Sequence, residues 1–188
     1  STRNCFFPMY YPNIDSTRQT WQEHQVKAQE IVNWHIKGKL GFKSSNQGGS
    51  ASIDWVQREK QYQISMSGPF ASGRATIKGD ERVAQMQRGK QYYSDAPQDL
   101  ALKLTGLSLP VNDLVWWAKG IPSPHRPLIK NLKLTPNGVA TEFEQDGWQL
   151  IFPRYQVTGQ GNLPNKIIGQ RGQQSFTLVI SSWRFPSN

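Results

Sequence analysis

Glu142 and Glu144 are two residues apart, the nearest this chain comes to a pair of catalytic carboxylates. On a strand that spacing puts both side chains on one face, as paired acid and base groups require, but a solvated strand face has the same spacing. The solvated face is the reading adopted. His24, His35 and His125 fall at spacings that match no zinc pattern, and HExxH, CxxC and GxSxG are absent. A single cysteine, Cys5, excludes an internal disulfide framework and a Cys-rich zinc site. Gly159-Gln160-Gly161 has the beginning of a nucleotide fingerprint, but Pro164 stands where the helix and third glycine belong, so these residues form a turn between strands. No nucleophile, base and oxyanion constellation is present. The chain is expected not to be an enzyme and to carry no catalytic residue, cofactor or metal.

Charge points to binding. Lys and Arg total 22 against 13 Asp and Glu, giving a net charge of +9, which favours anionic partners such as nucleic acid, lipid headgroups or an acidic protein. The basic residues are scattered, with no run of five or more. A basic barrel binding nucleic acid through aromatic faces is a competing class; its affinity would fall steeply with salt, and nucleic acid is not the expected partner. No stretch approaches the roughly 20 apolar residues of a spanning helix.

The elements follow from periodicity. Pro8 and Pro12 among aromatic residues make 1–15 an extended arm. From Ser16 to about Val32, Trp21, Ala28, Ile31 and Val32 share one face at a 3.6-residue period, which predicts a helix. The period then changes to two: Trp34, Ile36, Leu40 and Phe42 form one inward set, Ala51, Ile53 and Trp55 the next, and Tyr62, Ile64 and Met66 a third. Short strands RATIKG and RVAQMQRG follow, joined by a tight turn at Gly79 and Asp80, with KQYY as an edge or continuation. A helix capped by Ser94 or Asp95, with Pro97 in its first turn, presents Leu100, Leu104 and Leu107. A second helix follows Pro110, carries Leu114 to Trp117 and stops at Gly120. Strands resume with VATEFEQ, an Asp146-Gly147 turn, WQLIFPRY, NKIIGQR and SFTLVISSWRF. These elements predict one mainly β domain over 1–188, with about ten short strands in a curved sheet or incomplete barrel over 16–185 and two short helices against one opening.

Three ordered segments, TGLSLPVNDLVWWAKGIP, QDGWQLIFPRY and LPNKIIGQRGQQSFTLVISSW, resemble the LolB family of outer-membrane lipoproteins of Gram-negative bacteria. The likeness runs from about Trp21 to Trp183 and rests on Gly106, Leu107, Leu109, Pro110, Leu114, Trp117, Gly120 and Pro122, then Gly147, Trp148, Tyr155, Leu163, Pro164 and Trp183. It implies an α+β fold: an incomplete antiparallel barrel of about eleven strands with a lid of short helices, enclosing a cavity for lipoprotein acyl chains. Ile36, Leu40, Phe42, Ile53, Trp55, Tyr62, Ile64 and Met66 would line that cavity from the first half of the sheet. Trp148, Leu150, Phe152, Phe176, Leu178 and Ile180 would do so from the second, and Leu100, Leu104, Leu114 and Trp117 from the lid. For any one of these residues, ordinary core packing is the favoured reading, since a sheet with lid helices must fill most of its interior.

The resemblance also implies a membrane-insertion loop at Gly68, Pro69, Phe70 and Ala71, with Phe70 at the tip where the family presents a leucine. Burial of one Phe contributes about 1.5 to 3 kcal/mol, enough to perturb a membrane but not to anchor a protein. Family members are anchored by a lipid on an N-terminal Cys at the periplasmic face of the outer membrane. Thr2, Arg3 and Asn4 form no convincing lipobox before Cys5, so this chain does not display the anchor. The implied partners are the periplasmic lipoprotein carrier LolA, lipoprotein acyl chains and a phospholipid surface, with the protein acting as a monomer. A soluble LolA-like lipid carrier without insertion activity is the alternative.

Overall fold

A computed structural model describes residues 19–68 and 73–186. The extended arm, Cys5, Pro69, Phe70 and Ala71 lie outside the described residues.

A short helix, α1 (Trp21–Gln29), leads into six strands: β1 (Asn33–Lys43), β2 (Gly48–Arg58), β3 (Gln61–Ser67), β4 (Arg74–Gly79), β5 (Ala84–Arg88) and β6 (Gln91–Asp95). Helices α2 (Pro97–Thr105) and α3 (Val111–Trp117) interrupt the sheet. It resumes with β7 (Lys130–Leu134), β8 (Ala140–Gln145), β9 (Trp148–Thr158), β10 (Gly161–Arg171) and β11 (Gln174–Arg184). All pairings are antiparallel, in the order β6-β5-β4-β3-β2-β1-β11-β10-β9-β8-β7. The first and last long strands meet at the centre, and β6 and β7 remain as edges. This is the unclosed sheet of eleven strands with a helical lid that the resemblance implies.

Alternation made the sheet one-sided. In β3, Tyr62, Ile64 and Met66 are buried while Gln61, Gln63 and Ser67 are exposed, and β2 and β11 repeat the pattern. The inward faces and the lid helices form one continuous apolar core. Asp146 and Gly147, both with positive φ (50° and 76°), form the tight turn between β8 and β9, where glycine and short polar residues are tolerated.

Four local expectations are corrected. The first helix is shorter at both described ends: the Thr20 hydroxyl accepts the Glu23 N–H at 3.1 Å, and the helix stops at Gln29, leaving Val32 in the connection and 42% exposed. The cap of α2 is Ala96 rather than Ser94 or Asp95, with Pro97 supplying the fixed φ that starts the helix. The connection between β4 and β5 spans 80–83, because Asp80 Oδ1 accepts the N–H groups of Arg82 and Val83 at 2.8 and 3.2 Å. Strand β7 was not expected. Its pairing with β8 slips on both sides of Lys133, so no clean alternation marks it.

Candidate functional site

The lid rests on the first half of the sheet. Leu100, Leu104, Leu114 and Trp117, the lid residues expected from sequence, are all buried beneath it. Between lid and sheet lies an apolar void of about 40 Å³. Leu40, Ile53, Trp55, Ile64, Met66, Ile77 and Leu178 form its floor, and Ala101, Leu104, Thr105, Leu109, Val111 and Leu114 its roof. Thr105 is the one polar side chain among them, and its hydroxyl donates to the Ala101 carbonyl at 2.8 Å, so it leaves no unsatisfied group facing the void.

Eight of the expected cavity and lid residues therefore converge on this space: Leu40, Ile53, Trp55, Ile64, Met66, Leu178, Leu104 and Leu114. Ile36, Phe42, Trp148, Leu150, Phe152, Phe176, Ile180, Leu100 and Trp117 are buried in the adjoining core without lining it. Tyr62 lines a separate cleft, on the other side of α3. The void is close to the roughly 30 Å³ a water molecule occupies, and far below the 300 Å³ or more of a typical ligand site. In this state the interior is packed and has no room for a hydrocarbon chain.

The two roof helices are held differently. From the end of α3 onward the chain is fixed by a buried polar network centred on Gln145. Gln145 Oε1 accepts the Trp117 indole N–H at 2.7 Å and the Ser123 N–H at 2.8 Å, while its Nε2 donates to the carbonyls of Ser123 and Arg126 at 3.1 and 2.7 Å. Ser123 Oγ donates to Asp113 Oδ1 at 2.6 Å, and Arg126 Nε reaches Asp113 Oδ2 at 3.4 Å. Lys119 is 2% exposed; its ammonium donates to the Ile31 carbonyl at 3.1 Å and lies over the Trp116 ring. Burial lowers the Lys119 pKa to about 8. Gly120, with φ +77°, closes the segment where a Cβ would sit 2.8 Å from the Tyr155 hydroxyl. Tyr155 donates in turn to the Ala140 carbonyl at 2.6 Å, and Trp183 Nε1 donates to the Pro164 carbonyl at 2.9 Å. Of the residues that carry the resemblance, Trp117 bonds Gln145 and Gly120 packs against Tyr155 and Pro164, so these four help anchor this half of the lid, whereas Trp183 packs against Trp34 of β1.

Helix α2 has no such network. Its polar ties to the sheet side among the described residues are Gln47 Nε2 donating to the Thr105 carbonyl at 3.2 Å and the Lys103 ammonium lying 4.0 Å from the centre of the Tyr93 ring on β6; Gln98 binds Ser108, which belongs to the lid itself. Gln145, Lys119 and the buried His24 were missed by sequence reasoning. The signal for Gln145 was its place: it alternates inward with Thr141 and Phe143, where an apolar residue is the rule.

The neck of the expected insertion loop is defined. Gly68 N–H donates to the Gly73 carbonyl at 3.1 Å, closing the β3–β4 connection. Glu142 and Glu144 are occupied separately, Glu142 by the Lys133 ammonium at 3.2 Å and Glu144 by Asn131 Nδ2 at 3.1 Å. Among the described residues, no group of three or more His, Cys, Asp or Glu side chains is placed to hold a metal ion.

Comparison with known proteins agrees with this architecture. The family model for outer membrane lipoprotein LolB matches residues 32–183. An outer-membrane lipoprotein LolB from Pseudomonas paraeruginosa is 33% identical over 168 residues, covering 88% of this chain and 81% of the relative. One from Cellvibrio japonicus is 35% identical over 169 residues, covering 87% and 83%. Among solved structures, a LolA superfamily protein from Nitrosomonas europaea superposes with a TM-score of 0.59 at 9% identity, covering 90% of this chain and 95% of that one. A DUF1329 family protein from Desulfovibrio piger gives 0.61 at 6% identity, covering 89% and 92%. At such identities these two likenesses speak for the fold alone. Taken with the span of the family match and the relatives above 30% identity, they lead to one conclusion: the chain belongs to the outer-membrane lipoprotein LolB family.

Proposed function

We propose that this protein accepts the acyl chains of lipoproteins from a periplasmic carrier of the LolA type and inserts them into the inner leaflet of the outer membrane. The observation that supports this reading best is the seam between α2, α3 and the sheet, lined by apolar side chains and one internally bonded threonine around a void of about 40 Å³. Each acyl methylene removed from water contributes about 0.8 kcal/mol, so several long chains together oppose free release by tens of kcal/mol. The cargo must be covered by an apolar surface at every stage, which requires direct hand-over. Transfer is downhill: this cavity binds the chains better than the donor does, and the bilayer binds them better still, with no nucleotide hydrolysis.

Acceptance begins with α2 swinging away from β5 and β6 while α3 stays in place. The excess of basic charge speeds encounter with an acidic carrier rim or anionic headgroups. Phe70, which lies in sequence between the bonded Gly68 and Gly73, perturbs the acceptor membrane. In the native protein an N-terminal lipid supplies the anchor.

Binding of acylated and unacylated forms of one lipoprotein tests the cavity. The acylated form is expected to bind at least about a hundredfold tighter, and equal affinity would sink the proposal. Phe70→Glu is expected to leave acceptance intact while insertion into vesicles fails. Insertion at the wild-type rate would remove Phe70 from the insertion step.

A further inference from the structure

The lid has a second concave surface. Val111 and Leu114 face the apolar void, whereas Asn112, Val115 and Trp116 of the same helix line a cleft of about 730 Å³ on its other side. That volume lies within the range of ligand sites. Across the cleft stands the β2–β3 turn with Val32 beside it. This wall is held in a strained form. Glu59 has φ +53°, its N–H donates to the Val32 carbonyl at 2.9 Å, and its own carbonyl accepts Gln57 Nε2 at 2.8 Å.

Two residues lining the cleft have buried polar atoms that lack a hydrogen-bond partner among the described residues, the Tyr62 hydroxyl and Asn112 Oδ1. Tyr62 is 5% exposed. Burial, and after it the Asp80 carboxylate, push its pKa up, so the phenol keeps its proton and is available as a donor. The Asn112 amide nitrogen is committed to the Glu81 carbonyl at 2.8 Å, which leaves the oxygen as an acceptor. One donor and one acceptor, in a cleft that also presents Val32, Val115 and Trp116, match a peptide backbone, which offers a carbonyl and an N–H at each residue. Arg58 and Lys60 around the cleft are balanced by Glu59 and Glu81, so a phosphate gains no net attraction there.

We propose that this cleft binds the cargo's polypeptide just beyond its acylated residue, as an extended segment hydrogen-bonded to the Tyr62 hydroxyl and Asn112 Oδ1. The identity of the peptide rests on the function proposed above; the cleft itself does not. Position supports the assignment. The cleft is separated from the void by one helix, about 10 Å thick, so a molecule with its tails under the lid has its peptide within reach. It also lies at the end of β3 opposite the Gly68–Gly73 neck, about 23 Å away along seven residues. Tails leave toward one rim while the polypeptide is held at the other. The two polar atoms are shielded from solvent, so the peptide reaches them by parting the cleft walls.

The test is titration of the full chain with an N-acetylated, C-amidated hexapeptide of Ser, Gly and Ala carrying no lipid, followed at the Trp116 indole N–H by NMR. Saturable shifts with a Kd of about 1 mM are expected, weakened about five- to tenfold by Tyr62→Phe and separately by Asn112→Leu. Shifts that do not saturate, or wild-type affinity in both variants, overturn the proposal. So does displacement of the peptide by phosphoethanolamine at lower concentration, which would assign the cleft to a headgroup. Palmitate binding is measured in parallel. Its absence beside intact peptide binding refutes the acyl cavity and leaves the cleft standing; the reverse refutes the cleft alone.

Discussion

The two lid helices bury similar leucines but are fastened by different physics. The end of α3 is tied through Trp117, Ser123 and Gln145, with Lys119 reaching across to Ile31, so displacing it strands several buried polar groups at once. Helix α2 lies against α3, β5 and β6 through apolar contact, one bond from Gln47 and the Lys103 ammonium over the Tyr93 ring. Moving α2 therefore costs mainly exposed apolar surface, which an incoming hydrocarbon chain covers again. Polar networks demand a fixed geometry, and apolar contacts accept substitutes. Under the function proposed above, this difference casts α3 as the fixed wall and α2 as the leaf that opens.

The largest effect should come from Gln145→Leu. It leaves the Trp117 indole, the Ser123 N–H and two carbonyls unpaired in the interior, and at about 1–3 kcal/mol for each unsatisfied group the loss should exceed about 3 kcal/mol in urea unfolding. A loss below about 1 kcal/mol would erase the distinction between the helices. Next is the pH dependence carried by Lys119. Its folded pKa of about 8 lies below its ordinary value of 10.5, so between these the unfolded chain binds more protons and stability rises with pH through that window. Lys119→Met should remove this component of the rise, measured as the difference from wild type in thermal unfolding between pH 7.5 and 10.5. The smallest effect belongs to Gln47→Ala. Stability should fall by only about 0.5–1.5 kcal/mol, yet fluorescent fatty acid should be taken up faster because the hydrogen bond that ties α2 to the β1–β2 connection is cut. Slower uptake would place the moving part elsewhere.

Much of this arrangement was legible because burial on one face of a sheet forces a period of two. Ile53 with Trp55, Ile64 with Met66 and Phe176 with Leu178 all point inward where alternation puts them. Which of them meet the void was not legible, since Trp148 and Phe152 obey the same rule and pack solidly in the other half of the sheet. The end of α1 was misplaced because Ile31 and Val32 extend its apolar stripe, although Ile31 belongs to the closing turn and Val32 lies beyond it. The anchor around Gln145 could not be read because its partners are separated by about twenty residues or more, and most are backbone groups that carry no sequence signal.

An open sheet leaves two unpaired margins, and here both are poor templates for another strand. Strand β6 has only five residues, while β7 carries Lys130 and Lys133, slips register twice and includes Asn131 at φ +55°. Such irregular, charged margins discourage a neighbouring chain from zipping on. If the interior opens as proposed above, margins of this kind keep the copies from polymerising at the moment of greatest risk.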